Sequence, residues 1–545
     1  MLSLARYIAD AIALLLSVLL FLAYRERRYR GSGQRRSKSH LPRPPSPAGK
    51  LPLVGHLLKM PTEFECETYH RWCQELTSDI IHLQVGSTSI VVLDSFEAAT
   101  DLLEKRSSIY SGRPRMPMLN ELMGWDFHFA FMDYGDTWQV EYSLSTLYKR
   151  LTHDNYHPAA ADRMRPQLIK SARNILTRFL EAPDDVIANF RHLAGQTIMA
   201  ITYGIQIQLE NDLYVLTAEA AVSGLSTASV TGAFLVDYFP ALKYVPTWFP
   251  GASFRRRAKE WRKLSERMVT TPYIATKKSI AKGGHPACTV LSNLQKLETQ
   301  KDKAELGPYT EDVIQKVSGT MFTAATDTTV STLSSFVLAL VERPDIVRKA
   351  HAEIDKVVKP GHLPDFDDMN LLPYVTAIVK ESLRWKEVLP GALTHMLKTD
   401  DEYRGYFIPA GTLVIPNAWA MLHDEKVYPD PFTFKPERFL KPDGSLDGSV
   451  RDPGHACWGF GRRICPGRYM AYSSVWITIA TFLSVFDITS ALDDDGNVIR
   501  PTYEYQSALM CLPKPFRCSI KPRSASAEEL IRASAAQSAE LVMDI

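Results

Sequence analysis

The 545-residue chain has only seven cysteines, irregularly scattered and too few for a disulfide framework at this length. No CxxC pair offers a zinc site, so the thiols read as reduced and the bulk of the chain as facing a cytosol-like compartment. An excess of one charge is missing too. Lys and Arg number 63 against 61 Asp and Glu, and a net charge of +2 makes no case for nucleic acid as a partner. There is no GxGxxG nucleotide loop, no internal repeat, and no Pro/Gly/Ser-rich linker between residues 51 and 522. These absences leave one large domain.

What is present begins at the N-terminus. YIADAIALLLSVLLFLAY, Tyr7 to Tyr24, is apolar and long enough for a helix of about 27 Å, near the hydrocarbon thickness of a bilayer. The basic RERRYRGSGQRRSKSH follows it, whereas a cleavable signal peptide carries its charge ahead of the apolar run. Residues 1–24 therefore read as an N-terminal transmembrane anchor, and the positive-inside rule leaves the rest cytosolic. Residues 25–50 read as a basic and proline-rich linker, in which LPRPPSPAGKLP favours an extended, semi-rigid spacer.

Residues 51–522 read as a mainly α domain with small β-sheets. DIIHLQVGSTSIVVLDS alternates about Gly86-Ser87 like a hairpin, and YRGYFIPAGTLVIPNAW supplies further short strands. Residues 310–343 predict one very long helix, with Thr310 before Glu311 and Asp312 at its start and Pro344 as its stop. The Ser/Ala-rich tail, 523–545, reads as disordered or as a loosely docked helix.

Two cysteines stand in HACWGFGRRICPGRYM, and Cys465 has the better chemical setting. It precedes Pro466 and a helical run, where unpaired backbone N–H groups and the macrodipole should lower a thiol pKa. Gly459, Gly461 and Gly467 allow a close backbone approach to a flat ligand, and Arg462 and Arg463 could pair with carboxylates. Cys457 has none of this. One thiolate without a second ligand suits an iron already held by a porphyrin, while the rival reading is a small buried hydrophobe.

WGFGRRICPG resembles the haem loop F-x-x-G-x-R-x-C-x-G of cytochrome P450 enzymes through Gly461, Arg463, Cys465 and Gly467, with Trp458 in place of Phe. FTAATDTTVS resembles that family's oxygen-binding helix, with Ala325 for the commoner Gly. There Thr328 could bond the Ala324 carbonyl, and Asp327 and Thr328 could relay protons. Glu381 and Arg384 match E-x-x-R and FKPERF supplies Arg438, a cluster implied to lock the core; as an isolated pair, Glu381 and Arg384 suggest only a surface contact. His395 looks like a donor to a haem propionate, with a satisfied core histidine as the rival. The resemblance spans about residues 41–522. Among the family, KRSSIYSGRP and YFPALKYVPTWFPGA are similar to fungal, basidiomycete-type microsomal members, a group that includes tryptamine 4-hydroxylase and sterigmatocystin-type oxidoreductases.

One motif departs. Trp138 fits the family's W-x-x-x-R helix, but Tyr142 stands where the propionate-binding Arg belongs, and Lys149 and Arg150 come seven residues late. Either the insertion is real or VEYSLST is a gene-model error.

The resemblance implies haem b (iron protoporphyrin IX) on Cys465 and a monooxygenase placing one oxygen atom of O2 into a small, largely apolar, secondary-metabolite type of substrate. It implies electrons from NADPH through NADPH-cytochrome P450 reductase, with cytochrome b5 as a further partner. It also implies a single-pass location in the endoplasmic reticulum membrane, with the catalytic domain cytosolic. A haem-thiolate isomerase or dehydratase, or a non-catalytic haem-binding protein with a disrupted propionate contact, stays open. MPMLNELMGWDFHFAF and YQSALM are expected to line the pocket.

Overall fold

The computed structural model describes residues 40–133, 144–230, 233–284, 287–300 and 310–543. The anchor, Trp138 and Tyr142 lie outside the described residues. Among those described, no single helix is long and apolar enough to cross a membrane.

The longer helices are α1 (Glu65–Glu75), α2 (Leu144–Tyr156), α3 (Pro158–Glu181), α4 (Val186–Tyr203), α5 (Leu213–Ser229) and α6 (Ser253–Ala281). They continue with α7 (Thr289–Gln300), α8 (Glu311–Leu340), α9 (Pro344–Val357), α10 (Pro373–Trp385), α11 (Arg468–Val485) and α12 (Ala525–Met543). Local chemistry sets their ends. Asp212 caps α5 by accepting from the Tyr214 and Val215 N–H groups, and α4 stops at Gly204, whose φ of +67° no β-carbon obstructs. Thr310 takes the N-cap position of α8 in extended backbone, but its side chain makes no capping bond; Glu311 and Asp312 complement the macrodipole instead. α8 is buried over most of its length and packs on α4, α6 and α11, making it the axis of the main core.

Strands are few. β1 (Ile80–Val85) and β2 (Thr88–Leu93) form the hairpin about Gly86-Ser87, with Val85 opposite Thr88. β3 (His395–Met396), β4 (Asp401–Tyr403), β5 (Tyr406–Ile408) and β6 (Leu413–Pro416) follow. The main sheet has the order β1-β2-β6-β3, with β2 and β6 parallel, while β4 and β5 pair separately. β7 (Phe486–Leu492), β8 (Val498–Ile499) and β9 (Cys518–Pro522) make a third sheet.

One expectation changes and one is narrowed. The proline-rich segment is not a free spacer up to residue 50. The Pro42 carbonyl accepts from Phe407 N, the Pro45 carbonyl accepts from His82 N, and Ser46 Oγ donates to the His82 carbonyl. Proline removes donors but leaves carbonyls, so the segment can still pair along one edge. The tail is helical as α12, with Ala527, Ile531 and Ser534 buried against the domain.

Burial also sets an acid limit on stability. Burial lowers the pKa of His82 and His192 to about 4 and of His128 and His423 to about 3, and holds His395 well below the usual range. Unfolded, each titrates near about 6.5. The unfolded chain thus binds protons that the fold refuses. Stability present above that pH is lost as pH falls, by up to about 1.4 kcal/mol per histidine per pH unit. Glu387 and Asp237, raised to about 8 and about 6, act oppositely, as do the raised Glu65, Asp327, Glu353 and His70, but His351 is lowered too and most of the larger shifts are those of the buried imidazoles. The urea midpoint is expected to drop between about pH 7.5 and about pH 5; a rise would contradict this.

Candidate active site

Cys465 ends the loop before α11, and Gly467 is the helix N-cap. The Cys465 N–H donates to the Trp458 carbonyl at 2.7 Å, tying the loop back on itself. The Gly467 and Arg468 N–H groups and the Arg468 charge favour thiolate, but burial is the larger effect and raises the thiol pKa. The helix start therefore does not by itself lower the pKa of this thiol, contrary to the expectation from position. Burial of Cys457 is aggravated by Asp452, and its pKa lies well above the ordinary value.

The glycines divide by role. Gly461 has φ +53°, and a β-carbon there would lie 2.0 Å from the Leu103 carbonyl oxygen. Its missing side chain serves a close contact with the protein's own backbone at Leu103. At Gly467 a β-carbon would meet only Cys465 Sγ, at 4.0 Å, so that glycine keeps the sulfur's surroundings clear.

A cationic cradle lies nearby. Arg463 donates to the Ser111, Phe129 and Met132 carbonyls, main-chain oxygens where carboxylates had been expected. Arg113, 4% exposed, donates to the Ala130, Leu393 and Thr394 carbonyls. His395, on β3, is buried and hydrogen-bonds the Tyr110 carbonyl through Nδ1 at 2.8 Å. Burial lowers the Arg113 and His395 pKa values, and Arg463 repels both. Arg113 was not singled out in the sequence, because its partners Leu393 and Thr394 are some 280 residues away.

On α8, Thr328 Oγ1 donates to the Ala324 carbonyl at 2.8 Å. Ala324 is exposed although Phe322, Thr323 and Thr326 beside it are buried. Asp327 is 8% exposed and ion-paired to Arg191 on α4 at 3.5 Å, and Arg191 also pairs with Glu219 on α5 at 2.8 Å. Burial raises the Asp327 pKa, with Arg191 opposing and Glu219 reinforcing.

Glu381 and Arg384 are both fully buried, in a bidentate pair at 2.7 and 2.8 Å, so this is not a surface contact. Arg438 Nε reaches both Glu381 oxygens at 3.1–3.2 Å, and the Lys435 N–H donates to Oε1. Arg150, on α2, is exposed. Met118, Leu119, Met123 and Trp125 are fully buried core residues rather than pocket lining, whereas Tyr505 to Leu509 do line a cavity of about 500 Å³.

The arrangement fits a haem. Arg113 is a buried cation whose guanidinium donates to neutral carbonyls, which suits an anion such as a propionate, and Arg113, with Arg463 and His395 beside it, would hold that group. A lone thiol flanked by two N–H groups suits the fifth position on iron, and among the described residues no His/Cys/Asp/Glu cluster offers a different metal site. This is the donor set of a thiolate-ligated haem protein.

A family model described as Cytochrome P450 matches residues 44–520. The chain is 41% identical to Cytochrome P450 monooxygenase 98 of Postia placenta, across 91% of this chain and 93% of that one. It is 39% identical to Tryptamine 4-monooxygenase of Psilocybe cyanescens, across 91% and 96%, and to Cytochrome P450 monooxygenase COX2 of Coprinopsis cinerea, across 92% and 93%. The chain belongs to the cytochrome P450 family, and its activity is that of a monooxygenase, an oxidoreductase.

Proposed function

We propose that the protein is a membrane-anchored haem-thiolate monooxygenase. It places one oxygen atom of O2 into a C–H bond of a small, largely apolar substrate, with NADPH electrons delivered by a separate flavoprotein reductase. The observation that carries this reading is the Thr328–Ala324 bond beside a buried Asp327, a proton-handling group that isomerisation or dehydration does not require. Bound through Cys465, haem would supply the oxygen-activating iron, the thiolate lending electron density that favours O–O cleavage.

The chain's own residues manage protons and orientation. Arg113, Arg463 and His395 would hold the propionate side of the group. The Asp327 carboxyl, its proton affinity raised by burial, stands one residue from the Thr328 hydroxyl, where it can hand a proton on. Arg191, held on its outer side by Glu219, whose side chain is 40% exposed, fixes the position of the Asp327 carboxyl. Asp327→Asn is expected to slow substrate oxidation by about 10²-fold or more while leaving haem absorption unchanged. Undiminished turnover would refute the relay.

Attachment to the endoplasmic reticulum membrane is part of this proposal. Beyond the apolar N-terminus, Leu53, Leu58, Tyr244 and Trp248 are 68%, 77%, 75% and 78% exposed, and Leu57, Met60 and Tyr238 all pack against one hydrophobic cluster, which places the two segments on the same part of the domain. Such a patch suits a bilayer surface. The protein is expected to stay in the membrane pellet after alkaline carbonate extraction; release into the supernatant would count against the anchor.

A further inference from the structure

The cavity of about 500 Å³ lies among the loop after α10, the 503–511 segment and the start of α1. Three carboxylates, Glu65, Glu67 and Glu504, and the carboxyl of Glu387 border it against two lysines. Lys514 Nζ is held by Glu504 at 2.9 Å, and Lys386 Nζ lies over the Tyr505 ring, 5.0 Å from its centroid.

Glu387 is the unusual member of this lining. It is 3% exposed, and its Oε2 has no hydrogen-bond partner among the described residues. Leaving a buried acceptor unsatisfied costs about 1–3 kcal/mol, and more if it is charged. A ligand donor at this position removes that cost. Burial pushes the Glu387 pKa up to about 8, with Lys386 and Arg384 opposing and Glu67 reinforcing. Its charge is felt across the cavity wall, where it helps raise the Cys66, Tyr505 and Cys511 pKa values.

The cavity adjoins the reaction machinery on two sides. Cys511 lines it, and the Cys511 carbonyl accepts from Ser331 Oγ, one turn beyond Thr328 on α8. Thr394 lines it too, and the Thr394 carbonyl accepts from the Arg113 guanidinium at 2.8 Å. An uncharged donor would satisfy Oε2 but leave the excess of carboxylates unbalanced. A cation does both.

We propose that this cavity is a subsite for a substrate bearing a protonated aliphatic amine, whose N–H donates to the Glu387 carboxylate while its apolar body lies toward α8. The fate of the bound molecule rests on the monooxygenase reading; the binding does not.

Isothermal titration of the full-length, haem-loaded protein with 4-phenylbutylamine and with 4-phenylbutan-1-ol tests this. The amine is expected to bind at least about tenfold more tightly. At pH 7 it should also release a proton from Glu387, seen as a heat that varies with buffer ionisation enthalpy. Glu387→Gln should abolish both the preference and the proton release, leaving the alcohol's Kd within about twofold. Equal affinity or no binding in the natural protein, or loss of both ligands alike in the variant, overturns the proposal. So does an amine preference that survives in Glu387→Gln, which would belong to nitrogen on the iron. A Glu387-dependent preference without reductase-dependent oxidation of either probe leaves the subsite standing and counts against the monooxygenase reading alone.

Discussion

Cys465→Ser is expected to eliminate the thiolate-type absorption band of the reduced, CO-bound protein and to bring substrate oxidation down to background. A serine hydroxyl fits the same space but does not ionise at any usable pH, so the two N–H groups at the start of α11 would face a neutral oxygen. Burial already weighs against the anion at Cys465, and only a strong local cation reverses that balance, as a bound metal does for a thiol. Cys457→Ser is the matched control. That thiol lies beside Asp452 with its pKa pushed further up, so its loss should leave both band and turnover in place. If the Cys457 variant lost the band instead, the assignment would be wrong.

Glu381→Ala is expected to destabilise the domain by about 3–5 kcal/mol, read as a lower urea midpoint with the haem still bound. The carboxylate accepts from Arg384, from Arg438 and from the Lys435 N–H, all in buried surroundings. Its removal strands two guanidiniums. Arg384 keeps the Leu422 carbonyl and the face of Tyr428, and neither supplies a counter-charge. The exposed pair Lys263–Glu260 provides the scale, since Glu260→Ala should cost about 1 kcal/mol or less. Equal effects at the two sites would show that Glu381 is not a buried keystone.

How much of this was readable beforehand depends on sequence distance. The hairpin about Gly86-Ser87, the reach of α8 and the Thr328–Ala324 bond all follow from residues close together in the chain. Contacts between distant segments were hidden. Nothing local marks Arg113 as a partner of Leu393 and Thr394, or Glu381 as buried with Arg438. Competition between effects was hidden as well. The helix start does favour the Cys465 thiolate, but the opposing burial depends on the whole fold. The same holds for MPMLNELMGWDFHFAF, whose methionines and aromatics suit a cavity wall or a core equally, and whose Met118, Leu119, Met123 and Trp125 form core.

The proline segment has a mechanical consequence. Its carbonyls hold β1 through His82 and β5 through Phe407. β1 leads across β2 and β6 to β3, the strand that carries His395. A load applied at His40 therefore enters the sheet as shear, with several hydrogen bonds resisting together, and does not peel one strand away at a time. The domain is harnessed at the edge of the sheet whose far strand carries His395, so a pull on the proline segment and the placement of His395 share one mechanical element.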